Sequence, residues 1–259
     1  LEGRLKVNLI DKKFEELKIK GKKAFIGYTT FGYPTKGETL DYIKLIYSYV
    51  DVLELGFPFS DPIADGEVIQ RASVKALKED IKLDHLFYSI EKFKKDKPIA
   101  IMLYANTVYK RGIEKFFKDC KDFGADAVII PDISYEESAE FKAACRENGV
   151  HYIDLISISS IERAKMIAKT SKGFVYCVTR KGVTGFKGEI DKSIYELLSE
   201  LKKVTSTPLA VGFGIKSKED VLKLKEVADG IVIGSAIINK IDEGKEDLVS
   251  FLETIRSVL

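Results

Sequence analysis

The sequence predicts an α/β fold, a single (β/α)8 TIM barrel spanning residues 1–259, with an extra N-terminal helix and a short phosphate-binding helix after the eighth strand. Three observations carry this. Short β-branched apolar runs recur about every 25 residues, eight in all. Amphipathic helical stretches separate them, and no linker is long enough to divide the chain. A length of 259 residues also suits one barrel, which typically takes about 250.

In chain order, residues 1–4 carry no fold signal and read as a possible cloning remnant. A helical stretch from about Asp11 to Ile19 then precedes the first strand, placed to plug the barrel's bottom. Strands are predicted at 24–29, 52–55, 99–104, 127–130, 152–155, 174–179, 209–211 and 230–233. Their near-continuous apolarity suits strands of a parallel sheet buried on both faces. Between them, Tyr42-Ile43, Leu45-Ile46 and Tyr49, or Ile194, Leu197-Leu198 and Leu201, recur at helical spacing. Ser134-Tyr135-Glu136-Glu137 and Ser217-Lys218-Glu219-Asp220 read as helix starts, a serine accepting from an orphan N–H and acids facing the positive dipole end. An open doubly wound sheet is the alternative. The first turn, Thr30-Phe31-Gly32-Tyr33-Pro34, lacks the G-x-G-x-x-G of that fold.

Composition narrows the function classes. Lys and Arg number 42 against 40 Asp and Glu, so a net charge of +2 gives no field for nucleic acid or an anionic membrane. Apolar runs fall far short of the ~20 residues that a membrane span needs, and no signal peptide is read. Cys120, Cys145 and Cys177 form no C-x-x-C, which points to a reduced, cytoplasmic setting. His85 and His151 stand alone, so no metal site is expected.

Barrel chemistry sits where strands end. The second loop is the densest, Glu54-Leu55-Gly56-Phe57-Pro58-Phe59-Ser60-Asp61-Pro62-Ile63-Ala64-Asp65-Gly66. Glu54 lies inside a buried strand, where a carboxylate is costly unless it is partnered or works with a raised pKa. An ion pair and a catalytic group are equal readings of that one residue. Asp65 lies eleven residues on, near enough for both acids to converge on one substrate. The late loops read as a phosphate cradle: Gly182-Val183-Thr184-Gly185, Gly212-Phe213-Gly214-Ile215, and Gly234-Ser235 opening a short helix. Each glycine pair alone is a plain turn. Together, at three successive strand ends, they favour an anion site. Arg180 or Lys181 adds charge, although no lysine clamp is needed. Residues 180–189, with three glycines, are expected to form a lid that closes on substrate.

The segment 54–66, taken with Gly182–Gly185 and the Gly212-Phe213-Gly214-Ile215 loop, resembles the α subunit of tryptophan synthase, and the likeness runs from Ile10-Asp11-Lys12-Lys13-Phe14 through Gly234-Ser235. The resemblance implies a lyase that cleaves indole-3-glycerol phosphate reversibly to indole and glyceraldehyde 3-phosphate. It implies Glu54 as the general acid/base and Asp65 as the carboxylate that accepts the indole N–H. Tyr28, Tyr104 and Tyr176 are implied to line the substrate site, and Thr184, Gly185, Gly214, Gly234 and Ser235 to bind the phosphate. No cofactor is implied in this chain. Pyridoxal phosphate belongs to the partner, the tryptophan synthase β subunit, in an α2β2 heterotetramer. Tyr33, Ser134 and Ile158 depart from the family pattern, away from the acid pair. A stand-alone lyase and a catalytically weak regulatory subunit are the alternatives. Retention of both Glu54 and Asp65 argues against the second.

Overall fold

A computed structural model describes residues 7–93, 96–157, 159–178, 193–212 and 214–259. Its strands are β1 (Ala24–Thr30), β2 (Val52–Gly56), β3 (Ile99–Met102), β4 (Ala127–Ile129), β5 (His151–Tyr152), β6 (Leu155–Ser157), β7 (Val175–Val178), β8 (Leu209–Gly212) and β9 (Gly230–Ile233). All recorded pairings are parallel, in the order β5-β4-β3-β2-β1-β9-β8-β7-β6. The two ends of that order, β5 and β6, are joined through Ile153 and Asp154. The Ile153 N–H donates to the Val128 carbonyl at 2.9 Å, and the Tyr176 N–H donates to the Asp154 carbonyl at 2.9 Å. One predicted strand is therefore split in two, and through it the sheet closes as a TIM barrel.

Strand alternation produces two cores. Phe25, Leu53, Leu55, Ile101, Val128, Val175, Val211 and Ile231 face outward and pack under the helices. Ala24, Ile26, Tyr28, Val52, Ala100, Met102, Ile129, Phe174, Tyr176 and Val232 fill the barrel's interior. The N-terminal helix α1 (Leu9–Ile19) joins this second cluster through Ile10, Phe14 and Leu17, with Phe14 and Phe174 ring centres 5.7 Å apart. Asn8 caps it by accepting the Ile10 N–H at 2.9 Å, and His151 bonds Asp11 at 2.8 Å. The bottom is thus sealed with apolar material, as the sequence predicts.

A repeated aspartate fixes strand entry. Asp51 accepts the Phe25 N–H at 2.9 Å, Asp126 the Ile99 N–H at 2.9 Å and Asp229 the Leu209 N–H at 3.0 Å. Each aspartate precedes one strand and holds the start of its neighbour, which sets the registers that position the opposite mouth.

The helices after the strands are α2 (Thr39–Tyr49), α3 (Glu67–Leu77), α4 (Leu83–Glu91), α5 (Ala105–Arg111), α6 (Ile113–Phe123), α7 (Ala139–Asn148), α8 (Ile161–Ala168), α9 (Ser193–Lys202), α10 (Lys218–Leu224), α11 (Ser235–Glu243) and α12 (Lys245–Arg256). Ser217 caps α10 with Asp220 returning the bond, as expected. Ser134 does not start a helix. Its hydroxyl bonds Glu137 at 2.7 Å across a turn, and α7 begins only at Ala139, because the local side-chain bond is satisfied without a helical backbone.

Candidate active site

The C-terminal mouth of the barrel holds a cavity of about 420 Å³. Glu54 projects into it from the middle of β2, beside Tyr28 of β1 and Ala100 of β3 in register. Its side chain is inward because Leu53 and Leu55 take the outward positions. Only 1% of Glu54 is exposed, and neither carboxylate oxygen has a hydrogen-bond partner. Burial pushes this carboxyl up to about 8, and the nearby Asp65 charge adds to the rise.

Asp65 reaches the same cavity from the loop between β2 and α3. The loop is fixed by its own backbone: the Asp65 N–H donates to the Pro62 carbonyl at 3.0 Å, and the Gln70 amide donates to the Asp65 carbonyl at 2.8 Å. The Asp65 carboxylate accepts the Tyr104 hydroxyl at 3.1 Å through Oδ2, while Oδ1 has no partner. Burial raises this group to about 6 against the lowering pull of the Tyr104 bond. Two buried acids in one cavity therefore differ in proton affinity, Glu54 holding its proton at neutral pH and Asp65 ionised.

Tyr104 stands behind Asp65 rather than among the residues lining the cavity. Its hydroxyl also accepts the Ala64 N–H at 3.0 Å, and its ring stacks on Phe59 with centres 4.9 Å apart. Tyr104 is held in turn at the start of α5, where Asp132 accepts the Ala105 N–H at 2.9 Å. Tyr28 and Tyr176 do line the cavity, both deeply buried, with burial raising each phenol well above its ordinary value.

Glycine makes room for those rings. A methyl at Gly56 would stand 2.1 Å from the Tyr28 hydroxyl, and one at Gly212 would stand 2.6 Å from that of Tyr176. Gly212, part of a loop read as a phosphate cradle, thus has a packing role as well. Gly214 has φ +79°, which disfavours any side chain there. Gly214, Gly234 and Ser235 border the cavity, with Ser235 opening α11. Thr184, Gly185 and the expected lid at 180–189 lie outside the described residues.

Apolar lining comes from Met102, Ile129, Leu155, Val178 and Val232, the inward positions of five strands. Those positions were legible as strand residues but not as a binding surface. Lys216, exposed at the rim beside Gly214, was missed altogether, because it follows the glycine loop in an ordinary run of lysines. Among the described residues no group of three or more His, Cys, Asp or Glu could hold a metal ion. A smaller cavity, about 180 Å³, contains Asp154, whose carboxylate is satisfied by Lys142 at 2.6 Å and Ser171 at 2.8 Å. The larger cavity, with its three unpartnered carboxylate oxygens, is the candidate for chemistry.

The chain matches, over residues 14–257, the family profile described as tryptophan synthase alpha chain. It is 70% identical over 253 residues to the tryptophan synthase alpha chain of Caldicellulosiruptor bescii, covering 98% of this chain and 99% of that one. It is 40% identical over 262 residues to that of Thermoanaerobacter pseudethanolicus, covering 98% and 100%. Among solved structures, Mycobacterium tuberculosis tryptophan synthase superposes with a TM-score of 0.90 at 28% identity, over 97% of this chain and 98% of that one. Tryptophan synthase subunit alpha from Legionella pneumophila gives 0.88 at 31% identity, over 98% of both chains. Extended likeness in sequence and structure agrees with the acid-lined barrel mouth, and the chain belongs to the tryptophan synthase alpha chain family.

Proposed function

We propose that this chain is the α subunit of a tryptophan synthase, a lyase that cleaves indole-3-glycerol phosphate reversibly to indole and D-glyceraldehyde 3-phosphate, with Glu54 and Asp65 as its catalytic pair. The observation that carries the residue assignment is the pair itself. Three carboxylate oxygens are buried without partners in one cavity, Oε1 and Oε2 of Glu54 and Oδ1 of Asp65. Burying a lone carboxylate costs several kcal/mol, so a fold that gains nothing from it would lose it or pair it.

The reaction needs a proton at indole C3, removal of the proton from the C3′ hydroxyl, and stabilisation of positive charge at the ring nitrogen as C3 becomes tetrahedral. Glu54, raised to about 8, is protonated at neutral pH and supplies the C3 proton. Its carboxylate then accepts the C3′ hydroxyl proton as the C3–C3′ bond breaks, and that electron pair returns to the ring. Glu54 ends protonated, indole leaves aromatic and the C3′ carbon leaves as an aldehyde. Asp65, raised only to about 6, stays ionised, accepts the indole N–H and offsets its charge. Tyr28, Tyr176 and the apolar wall of Met102, Ile129 and Leu155 suit the flat ring. Tyr104 acts here through Asp65, holding it in place.

Gly214, Gly234, Ser235 and the start of α11 suit the phosphate, since orphan N–H groups at a helix start favour an anion. Thr184 and Gly185 are assigned to the same cradle on the family likeness. The partner is a β subunit in an α2β2 assembly, which carries the pyridoxal phosphate; this chain takes no cofactor. Ile63, 62% exposed on the loop that carries Asp65, offers that partner an apolar contact coupled to the acid. No helix among the described residues is long and apolar enough to cross a membrane. A cytoplasmic setting follows from the reduced cysteines and the biosynthetic role.

The test is Glu54→Gln, which keeps shape and removes the titrating proton. Indole release from indole-3-glycerol phosphate should fall by about 10³ or more with an unchanged near-ultraviolet circular dichroism spectrum. Turnover near that of the parent would overturn the assignment.

A further inference from the structure

The cavity is electrically divided. Glu54, Asp65 and Glu67 enter it from β2, its loop and the start of α3. Lys216 enters from the loop between β8 and α10, on the side of Gly214, Gly234 and Ser235. In the barrel order β1 separates the arc after β2 from the arc after β8 and β9. A substrate with an aromatic ring at one end and a phosphate at the other would then have its dianion pointed away from the acids.

We propose that Lys216 pairs directly with the phosphate of the substrate and orients it, a role that rests on the lyase reading above. Among the described residues that line the cavity, Lys216 is the one cationic side chain. It enters no ion pair with a described residue, so its charge is not already committed. Its backbone is fixed: the Lys216 N–H donates to Asp220 at 2.9 Å, and the Ser217 N–H donates to the same oxygen at 3.2 Å. The capping acid of α10 thereby holds the lysine at the mouth. Lys216 is exposed at the rim, where its charge attracts an incoming anion at long range. Backbone N–H groups bind phosphate at short range and are little affected by salt, whereas an exposed lysine is screened. Salt dependence therefore separates the two contributions.

The experiment uses the full chain and glycerol 3-phosphate as the probe, titrated calorimetrically at about 20 mM and about 500 mM salt, beside steady-state indole release. Lys216→Gln should weaken probe binding about threefold to tenfold at low salt, and high salt should erase the difference. In turnover the loss should fall on KM rather than kcat. Lys216→Arg should restore most of the affinity, since it keeps the charge. Equal low-salt affinity of the parent and Lys216→Gln would overturn the inference while leaving the lyase reading intact. Failure of Lys216→Arg to restore binding would also overturn it, by showing a need for lysine's shape rather than its charge. Absence of indole release from the parent would overturn the lyase reading and this inference with it.

Discussion

At the scale of single residues, the site depends on two carboxyls of similar chemistry made different by their surroundings. Glu54 sits on a strand with no hydrogen-bond partner for its oxygens, and Asp65 sits on a loop with one phenol donor. That bond opposes burial at Asp65, whereas at Glu54 burial and the Asp65 charge both raise the carboxyl. Tyr104→Phe removes that bond and the one from the Ala64 N–H, while the ring still stacks on Phe59. The Asp65 pKa should then rise, moving the acidic limb of kcat/KM for indole release to higher pH. At pH 7 the loss should be about threefold to tenfold. A limb that stays in place would mean that Tyr104 is structural only. Glu54 and Asp65 stood out in the sequence as a carboxylate inside an apolar strand and an aspartate in a loop with prolines, while their roles were carried by the family resemblance. The position of Tyr104 behind Asp65 was not legible, because 39 residues separate the two and only the β2–β3 register brings them together. Lys216 was equally hidden: one lysine among many says nothing until the cavity wall is drawn.

At the scale of elements, the strands were the most legible feature. Seven of the eight predicted runs are each a single strand, with ends shifted by up to two residues among the described positions, because buried parallel strands are marked by unbroken β-branched and apolar stretches. The fifth run breaks at Ile153 and Asp154, where the chain changes pairing from β4 to β7, a property of barrel closure that local sequence does not carry. The start of α7 was misplaced because Ser134 and Glu137 bond each other across a turn. Elements also bring glycine and tyrosine into matched positions. The Gly212→Ala methyl would meet the Tyr176 hydroxyl at 2.6 Å, and a strand backbone cannot yield easily. The variant should unfold about 2–10 °C below the parent in a thermal melt, the usual range for an overpacked interior, and should bind the indole end of the substrate more weakly. An unaltered melting temperature together with unaltered KM would show that the ring moves freely aside. The same scale includes a clasp between helices: Tyr33 donates to Asp242 near the end of α11, and Arg71 of α3 pairs with Asp242 at 2.6 Å. It ties the helix that follows Asp65 to the helix that follows Gly234.

Across the whole molecule, the barrel separates stability from chemistry along its axis. Its lower half is plugged by α1 and filled with apolar side chains, while the buried carboxyls of Glu54 and Asp65, three of their four oxygens unpartnered, stand at the upper mouth. The division has a consequence for folding. Glu54 titrates near 4.5 when unconstrained and near about 8 when folded, so between those values the folded chain holds a proton that the unfolded chain has released. Stability should therefore fall as pH rises through that window. Glu54→Gln removes the effect, and its advantage over the parent in urea unfolding should widen from pH 5 to pH 8, to on the order of a few kcal/mol. A constant difference would mean that the carboxyl is not raised by the fold. The same two acids are the proposed catalytic pair. The most direct test of their assignment is the pH profile of kcat/KM for indole release from pH 5 to 9. The parent should give a bell, its acidic limb at about 6 from Asp65 and its basic limb at about 8 from Glu54, and Asp65→Asn should lose the acidic limb and keep a basic one, moved lower because the Asp65 charge no longer raises Glu54. A flat profile in the parent, or an acidic limb that survives in Asp65→Asn, would contradict the account.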